Sequence, residues 1–104
     1  MAKIYKLDQY RAECNIEPFV LDTGETQIVI QAPTGETLFK IAETPTVYVQ
    51  TLLKLITGDQ FDAVWNLFRH EQGTVLVQFL KDIGAHFMVT SIAEAPGGSA
   101  ALPN

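Results

Sequence analysis

The sequence predicts a small α+β domain, in which an N-terminal β-hairpin or small antiparallel sheet precedes a compact bundle of three short helices. Two β-rich runs flank a turn near residue 23, and apolar residues recur at helical spacing from residue 44 to residue 87. The length of 104 residues suits one hydrophobic core. We therefore expect one domain at residues 1–91 and a flexible tail, rich in Pro, Gly and Ala, at residues 92–104.

The first element lies within residues 3–14. Ile4, Leu7 and Tyr10 recur at a spacing of three, which would place them on one face of a helix. The same residues could equally begin as a short strand. Pro18 then interrupts the pattern.

A β-hairpin is predicted next, with its turn at Asp22-Thr23-Gly24-Glu25. In the second strand Ile28 and Ile30 share one face, while Val29 points to the other. One face of the hairpin is therefore ready for burial. A second turn follows at residues 33–35, where Pro and Gly interrupt the chain.

Residues 37–43 fit a third strand or a linking helix, and we favour the strand. Thr44-Pro45 then predicts a helix start, because threonine can cap free amides and proline suits a first helical turn. Gly58 would end this helix. Its apolar residues at helical spacing are Tyr48, Val49, Leu52, Leu53 and Ile56.

Two further helices complete the predicted bundle. Asp59 is placed to cap the first of them, and Gly73 separates it from the second, which would begin near Thr74. Both carry apolar residues at spacings of three and four. These residues are Phe61, Val64, Trp65 and Phe68 in the first helix, and Leu76, Phe79, Leu80, Ile83 and Phe87 in the second.

The charge of the chain argues against nucleic acid and membranes as partners. The chain has seven Lys and Arg residues and twelve Asp and Glu residues, which gives a formal charge of −5. Binding to phosphate or to an anionic membrane needs clustered cations, whereas the cations here are scattered singly. The N-terminus has no apolar run of signal-peptide length, and no stretch is long enough to span a bilayer. The sequence therefore predicts a cytoplasmic protein.

Residues with chemical potential are few. Cys14 is the single cysteine, which rules out an internal disulfide, and we expect it to be a half-buried core residue. His86 follows Asp82 by four residues, a common surface contact on a helix, and His70 would stabilise the end of a helix. Catalysis would need Cys14 and both histidines to converge. We expect no enzyme, no metal and no cofactor.

A protein partner is the remaining prediction. Most of the aromatic residues on the three helices should pack together, but a domain of this size has limited interior volume. Any excess would form an exposed apolar patch, which commonly marks a partner-binding face. The candidate partner-binding residues are Leu52, Leu53, Trp65, Phe68, Phe79 and Phe87.

Short motifs along the chain resemble those of one protein family. They are Leu7-Asp8 near the start, Gly58-Asp59-Gln60-Phe61-Asp62 with Trp65, and Asp82-Ile83 with His86-Phe87. The pattern is similar to that of the tail assembly chaperones of long-tailed, siphovirus-type actinobacteriophages. The resemblance implies a non-enzymatic protein that coats the tape-measure protein in the host cell cytoplasm until tail-tube subunits polymerise around it. It also implies a frameshifted longer product, whose frameshift would fall in the tail after Ile92.

A structural virion protein is the alternative: a head-tail connector, a tail subunit or a capsid-decorating subunit. In that case the hairpin would donate or receive an edge strand, and the protein would remain in the virion. A homo-oligomer is compatible with either hypothesis. The hairpin residues involved would be Phe19, Leu21, Ile28 and Ile30.

Overall fold

The computed structural model describes residues 2–89 and confirms the α+β class. A two-stranded antiparallel sheet packs with the helices that follow it, while the helix that precedes it contains no buried residue. The longest helix has 14 residues, and within residues 2–89 no helix combines the length and apolarity needed to cross a membrane. The elements are α1 (Leu7–Glu13), β1 (Phe19–Asp22), β2 (Gln27–Ile30), α2 (Gly35–Glu43), α3 (Val49–Thr57), a 3-10 helix (Gly58–Gln60), α4 (Phe61–Phe68) and α5 (Gly73–His86).

The predicted hairpin is present, and its register follows from the alternation of the two strands. Phe19 lies opposite Ile30, and Leu21 lies opposite Ile28. The isoleucines are buried, whereas Val29 between them is exposed, as the sequence predicted. The turn is closed by the backbone N–H of Thr23, which donates to the Thr26 carbonyl at 2.9 Å. The hairpin thus presents one apolar face to the helices.

Residues 37–43 form most of helix α2, so the favoured strand was wrong and the alternative helix is correct. The Thr34 hydroxyl accepts a hydrogen bond from the Thr37 backbone N–H at 3.3 Å and caps the first turn. Ile41 is fully buried on the inner face. This cap favours a helix over a strand.

Helices α3 and α4 begin later in the chain than the sequence predicted. The Thr44 hydroxyl donates to the Lys40 carbonyl at 2.6 Å and so closes α2, while α3 begins only at Val49. Asp59 lies in the 3-10 helix, and α4 has no side-chain cap. Helices α3, α4 and α5 nevertheless form the predicted set of three. The predicted tail at residues 92–104 lies outside the described residues.

The core joins the inner face of the hairpin to one face of each helix from α2 to α5. Burying one such aliphatic or aromatic side chain stabilises a fold by about 1.5–3 kcal/mol. Thr57 is the buried polar residue, and its hydroxyl donates to the Leu53 carbonyl at 2.6 Å. The buried apolar residues are Ile28, Ile30, Ile41, Leu52, Leu53, Ile56, Val64, Phe79, Leu80, Ile83, Phe87 and Val89.

Helix α5 ends in a Schellman motif. The Val89 N–H donates to the Gly84 carbonyl at 2.7 Å, and the Met88 N–H donates to the Ala85 carbonyl at 3.1 Å. Met88 has a positive φ of 62°, the conformation that this motif requires. Val89 is thereby folded back into the core.

We expect Gly58→Ala to lower the free energy of unfolding by about 1–3 kcal/mol, because Gly58 links α3 to the 3-10 helix at φ 56° and ψ −125°. An added methyl group would meet no atom within 4 Å, so the cost is backbone strain rather than a clash. Gly73→Ala is the matched control. Its position is also open, its φ is not positive, and we expect a neutral or slightly stabilising effect. Equal loss in both variants by urea denaturation would contradict this interpretation.

Candidate functional site

An open apolar groove lies between β1 and the corner where α4 meets α5. It consists of two adjacent hollows, of about 460 Å³ and 320 Å³, which share Leu21, Phe68 and Val75. We call it the β1–α5 groove. Its apolar lining residues are Phe19, Leu21, Leu67, Phe68, Val75 and Phe79.

Aromatic rings form the floor of the β1–α5 groove. Phe79 packs against Phe19 at 5.7 Å between ring centroids, with the rings nearly perpendicular at 83°. Phe68 lies 4.8 Å from Phe79, at 33°. Phe19, Leu21 and Phe68 are only partly buried, because no further element covers this side of the short hairpin within residues 2–89. The floor of the groove therefore packs against the core on one side and is partly exposed to solvent on the other.

The rim of the groove is acidic. Asp82 lines the first hollow, and Asp22 and Glu71 line the second. Gln78 donates to Asp82 at 2.9 Å, and Asp22 accepts the Gly24 N–H at 2.8 Å. None of these three carboxylates has an ion-pair partner in the described part of the chain. An apolar floor with a negative rim favours an apolar ligand that carries positive charges at its edges.

The structure corrects the predicted partner-binding face. Leu52, Leu53 and Phe87 are buried in the core of the protomer and reach no partner in this fold. Phe79 is also buried, although its ring forms part of the groove floor. The reason is geometric: the regular helical stripes that singled these residues out are the faces that pack together.

Phe68 and Trp65, the other two predicted residues, are partly buried. Phe68 lines the β1–α5 groove, whereas Trp65 does not. Trp65 stacks on Phe61 with centroids 6.5 Å apart and planes at 6°, and the Arg69 guanidinium lies 6.0 Å from the Trp65 ring. Lys54 lies 5.4 Å from the centre of the Phe61 ring. Trp65 therefore belongs to a separate cation–π stack on α4.

Leu67 and Val75 are groove residues that sequence reasoning missed. They are 40% and 43% exposed, the highest values among the apolar lining residues. Both are apolar residues that fall outside the helical stripes of α4 and α5. That departure from the pattern was the available signal, since exposed apolar side chains that lie next to one another can mark a partner-binding face.

The histidines and the cysteine have structural or solvent-exposed positions. His86 Nε2 lies 2.8 Å from the Glu17 carbonyl, to which it can only donate. It does not pair with Asp82, whose carboxylate accepts from Gln78 instead. His70 is exposed beyond the end of α4, and Cys14 is exposed at the end of α1, so the half-buried position predicted for Cys14 was wrong.

A second cavity, of about 260 Å³, lies where the end of β2 meets α2 and the 3-10 helix. Asp59 is the one ionisable residue among those that line it. Acid–base catalysis commonly uses a pair of titratable groups with separated pKa values, and this cavity holds no such pair. Among residues 2–89, no three His, Cys, Asp or Glu side chains are grouped so that they could hold a metal ion.

Comparison with known proteins found no matching family model, no matching curated protein and no matching solved structure.

Proposed function

We propose that this protein is a non-enzymatic phage tail assembly chaperone, which binds apolar stretches of the tape-measure protein in the host cytoplasm during tail morphogenesis. The observation that supports the proposal is the β1–α5 groove. Leu67 and Val75 stand at its surface, and Phe19, Phe68 and Phe79 form an aromatic floor below them. Apolar surface of this kind, kept accessible in a small domain, favours partner binding.

The shape of the groove suits a helical client. Amphipathic helices bind by laying apolar residues, spaced three and four apart, into a groove of this kind. Aromatic residues, phenylalanine among them, are enriched at protein interfaces relative to the rest of the surface. The acidic residues Asp22, Glu71 and Asp82 at the rim would favour client segments with Lys or Arg beside the apolar stripe.

Co-expression with the tape-measure protein of the same phage tests this function. We expect the tape-measure protein to stay in the supernatant and to co-purify with the wild-type chain, and to aggregate without it. Recovery of equal amounts of soluble tape-measure protein in the absence of the chain would contradict the proposal. The groove variants described in the Discussion locate the contact.

A structural virion subunit is the second candidate, and the outer face of the hairpin favours it. Val20 and Val29 lie opposite each other in the register, and both are exposed. In a sheet of two strands each strand also has one edge without a strand partner, which could accept a strand from another subunit.

Mass spectrometry of purified particles separates these two functions. We expect the chaperone to be absent from mature virions, because tail-tube subunits replace it during assembly. A stoichiometric amount of this chain in particles would support the structural subunit instead, whichever virion site it occupies.

A further inference from the structure

The N-terminal arm, defined here as residues 2–14, exposes an apolar face that nothing in the described fold covers. Helix α1 contains no buried residue, and four large apolar side chains of the arm are 51 to 78% exposed. A helix of seven residues is marginal in water unless it packs on something else. The exposed residues are Ile4, Tyr5, Leu7 and Tyr10.

The charge of the arm is opposite to that of the remaining chain. The arm has three basic residues, Lys3, Lys6 and Arg11, and two acidic ones, whereas residues 15–104 have four basic and ten acidic residues. The arm is thus +1 and the rest −6. Arg11 pairs with Asp8 at 3.0 Å, which leaves Lys3 and Lys6 without an ion-pair partner in the described residues. Lys3 lies 5.2 Å from the centre of the Tyr5 ring, a contact that leaves its charge unpaired. An apolar face flanked by two such lysines complements the β1–α5 groove, whose floor is apolar and whose rim is acidic.

In this fold the arm does not lie in the groove of its own chain, because none of residues 2–14 lines either hollow. Ile16 already packs against the core, and the Glu17 carbonyl is held by His86 at 2.8 Å. Pro18 restricts Glu17 to extended backbone. Only Cys14 and Asn15 lie between the end of α1 at Glu13 and the packed Ile16, so the link between the arm and the core is short.

We propose that the N-terminal arm of one copy lies in the β1–α5 groove of a second copy, and that two copies exchange arms reciprocally to form a dimer. Ile4 and Leu7 would pack on Phe68 and Val75, while Lys3 and Lys6 would face Glu71 and Asp82. The exchange needs no client, so it goes beyond the proposed function and does not rest on it. Because the arm and the tape-measure protein would occupy the same groove, the two would compete, and a client would bind by displacing the arm. Each arm would contact the groove of the other copy, so the same pair of surfaces would form two identical contacts, as in a two-fold symmetric dimer.

Sedimentation velocity at increasing concentration tests the dimer. We expect the mass of the full chain to rise from 11.5 kDa towards twice that value, and a chain without residues 2–14 to remain monomeric. A monomeric full chain at every concentration would overturn the proposal. So would a dimer that persists without the arm. Circular dichroism checks that the truncated chain is folded.

Charge reversal tests which surfaces meet. K3E/K6E in the arm and E71K/D82K at the rim should each yield monomers, because like charges then face each other. Mixing the two variants should restore dimers, since the reversed arm fits the reversed rim and the unchanged arm fits the unchanged rim. Two reversals on α2, E36K/E43K, are the control and should leave the dimer intact. Failure of the mixture to dimerise, or a monomeric control, would overturn the pairing.

Discussion

Leu53→Ala is expected to lower the free energy of unfolding by about 2–5 kcal/mol, because Leu53 is 1% exposed and truncation would leave a cavity in the core. Leu38→Ala makes the same change on α2, where the side chain is 41% exposed, and should change stability by no more than about 0.5 kcal/mol. Urea denaturation of both variants measures the difference. Equal, small losses would mean that Leu53 is not a core residue.

The burial of Leu53 also shows why helical periodicity selected core residues as candidates for partner binding. Leu52, Leu53, Phe79 and Phe87 were predicted as partner-binding because they form apolar stripes, and the structure buries all four. A regular stripe indicates which side of a helix faces the interior. It does not indicate which apolar residues stay outside the core because the interior has no room for them.

Replacing both Leu67 and Val75 by glutamate is expected to weaken binding of the tape-measure protein by about tenfold or more, while the protein remains folded. The loss follows from placing two charges at the mouth of an apolar groove whose rim is already acidic, and about 1.4 kcal/mol corresponds to a tenfold change in affinity. Both side chains are at least 40% exposed, so their replacement leaves the core intact.

Leu38→Glu with Val29→Glu is the matched control for this variant. It changes the same residue types by the same charge, and the side chains are 41% and 40% exposed, but neither residue lines the β1–α5 groove. The control should keep wild-type binding in a pull-down with purified tape-measure protein. Equal weakening by both pairs would point to net charge, and no weakening by either would exclude the groove as the contact site.

Much of the fold could be predicted because its signals are local. The hairpin follows from the alternation around Ile28 and Ile30 and from the turn at Gly24, where φ is 92°. The strand prediction for residues 37–43 was wrong because seven residues with mixed apolar and polar side chains fit both the helical and the strand period. The residue that caps helix α2 is Thr34, which lies before residues 37–43.

The groove could not be predicted in the same way because it depends on contacts between distant parts of the chain. Phe19 on β1 meets Phe79 on α5, sixty residues later in the sequence. Phe19 and Leu21 were assigned only to the alternative in which the hairpin joins a virion. Both side chains are half-buried because no other element covers that side of the hairpin within the described residues. The periodicity of the sequence does not indicate whether another element covers a strand.

The first helix gives the opposite case. Ile4, Leu7 and Tyr10 fitted an apolar helical face or a short strand, and the structure has a helix from Leu7 to Glu13 that begins after Ile4. That face is left exposed within one chain, although such stripes usually pack on the core of the same chain. The exposed stripe is the observation from which we propose that the arm binds the groove of a second copy.

Site-specific photo-crosslinking tests the central claim, that the β1–α5 groove holds the tape-measure protein. A photoreactive phenylalanine analogue would replace Val75 in one chain and Leu38 in another, with the tape-measure protein co-expressed. We predict that position 75 crosslinks to the tape-measure protein and that position 38, which is equally exposed but outside the groove, does not. Crosslinks to the tape-measure protein from position 38 but not from position 75, or from neither position, would contradict the account.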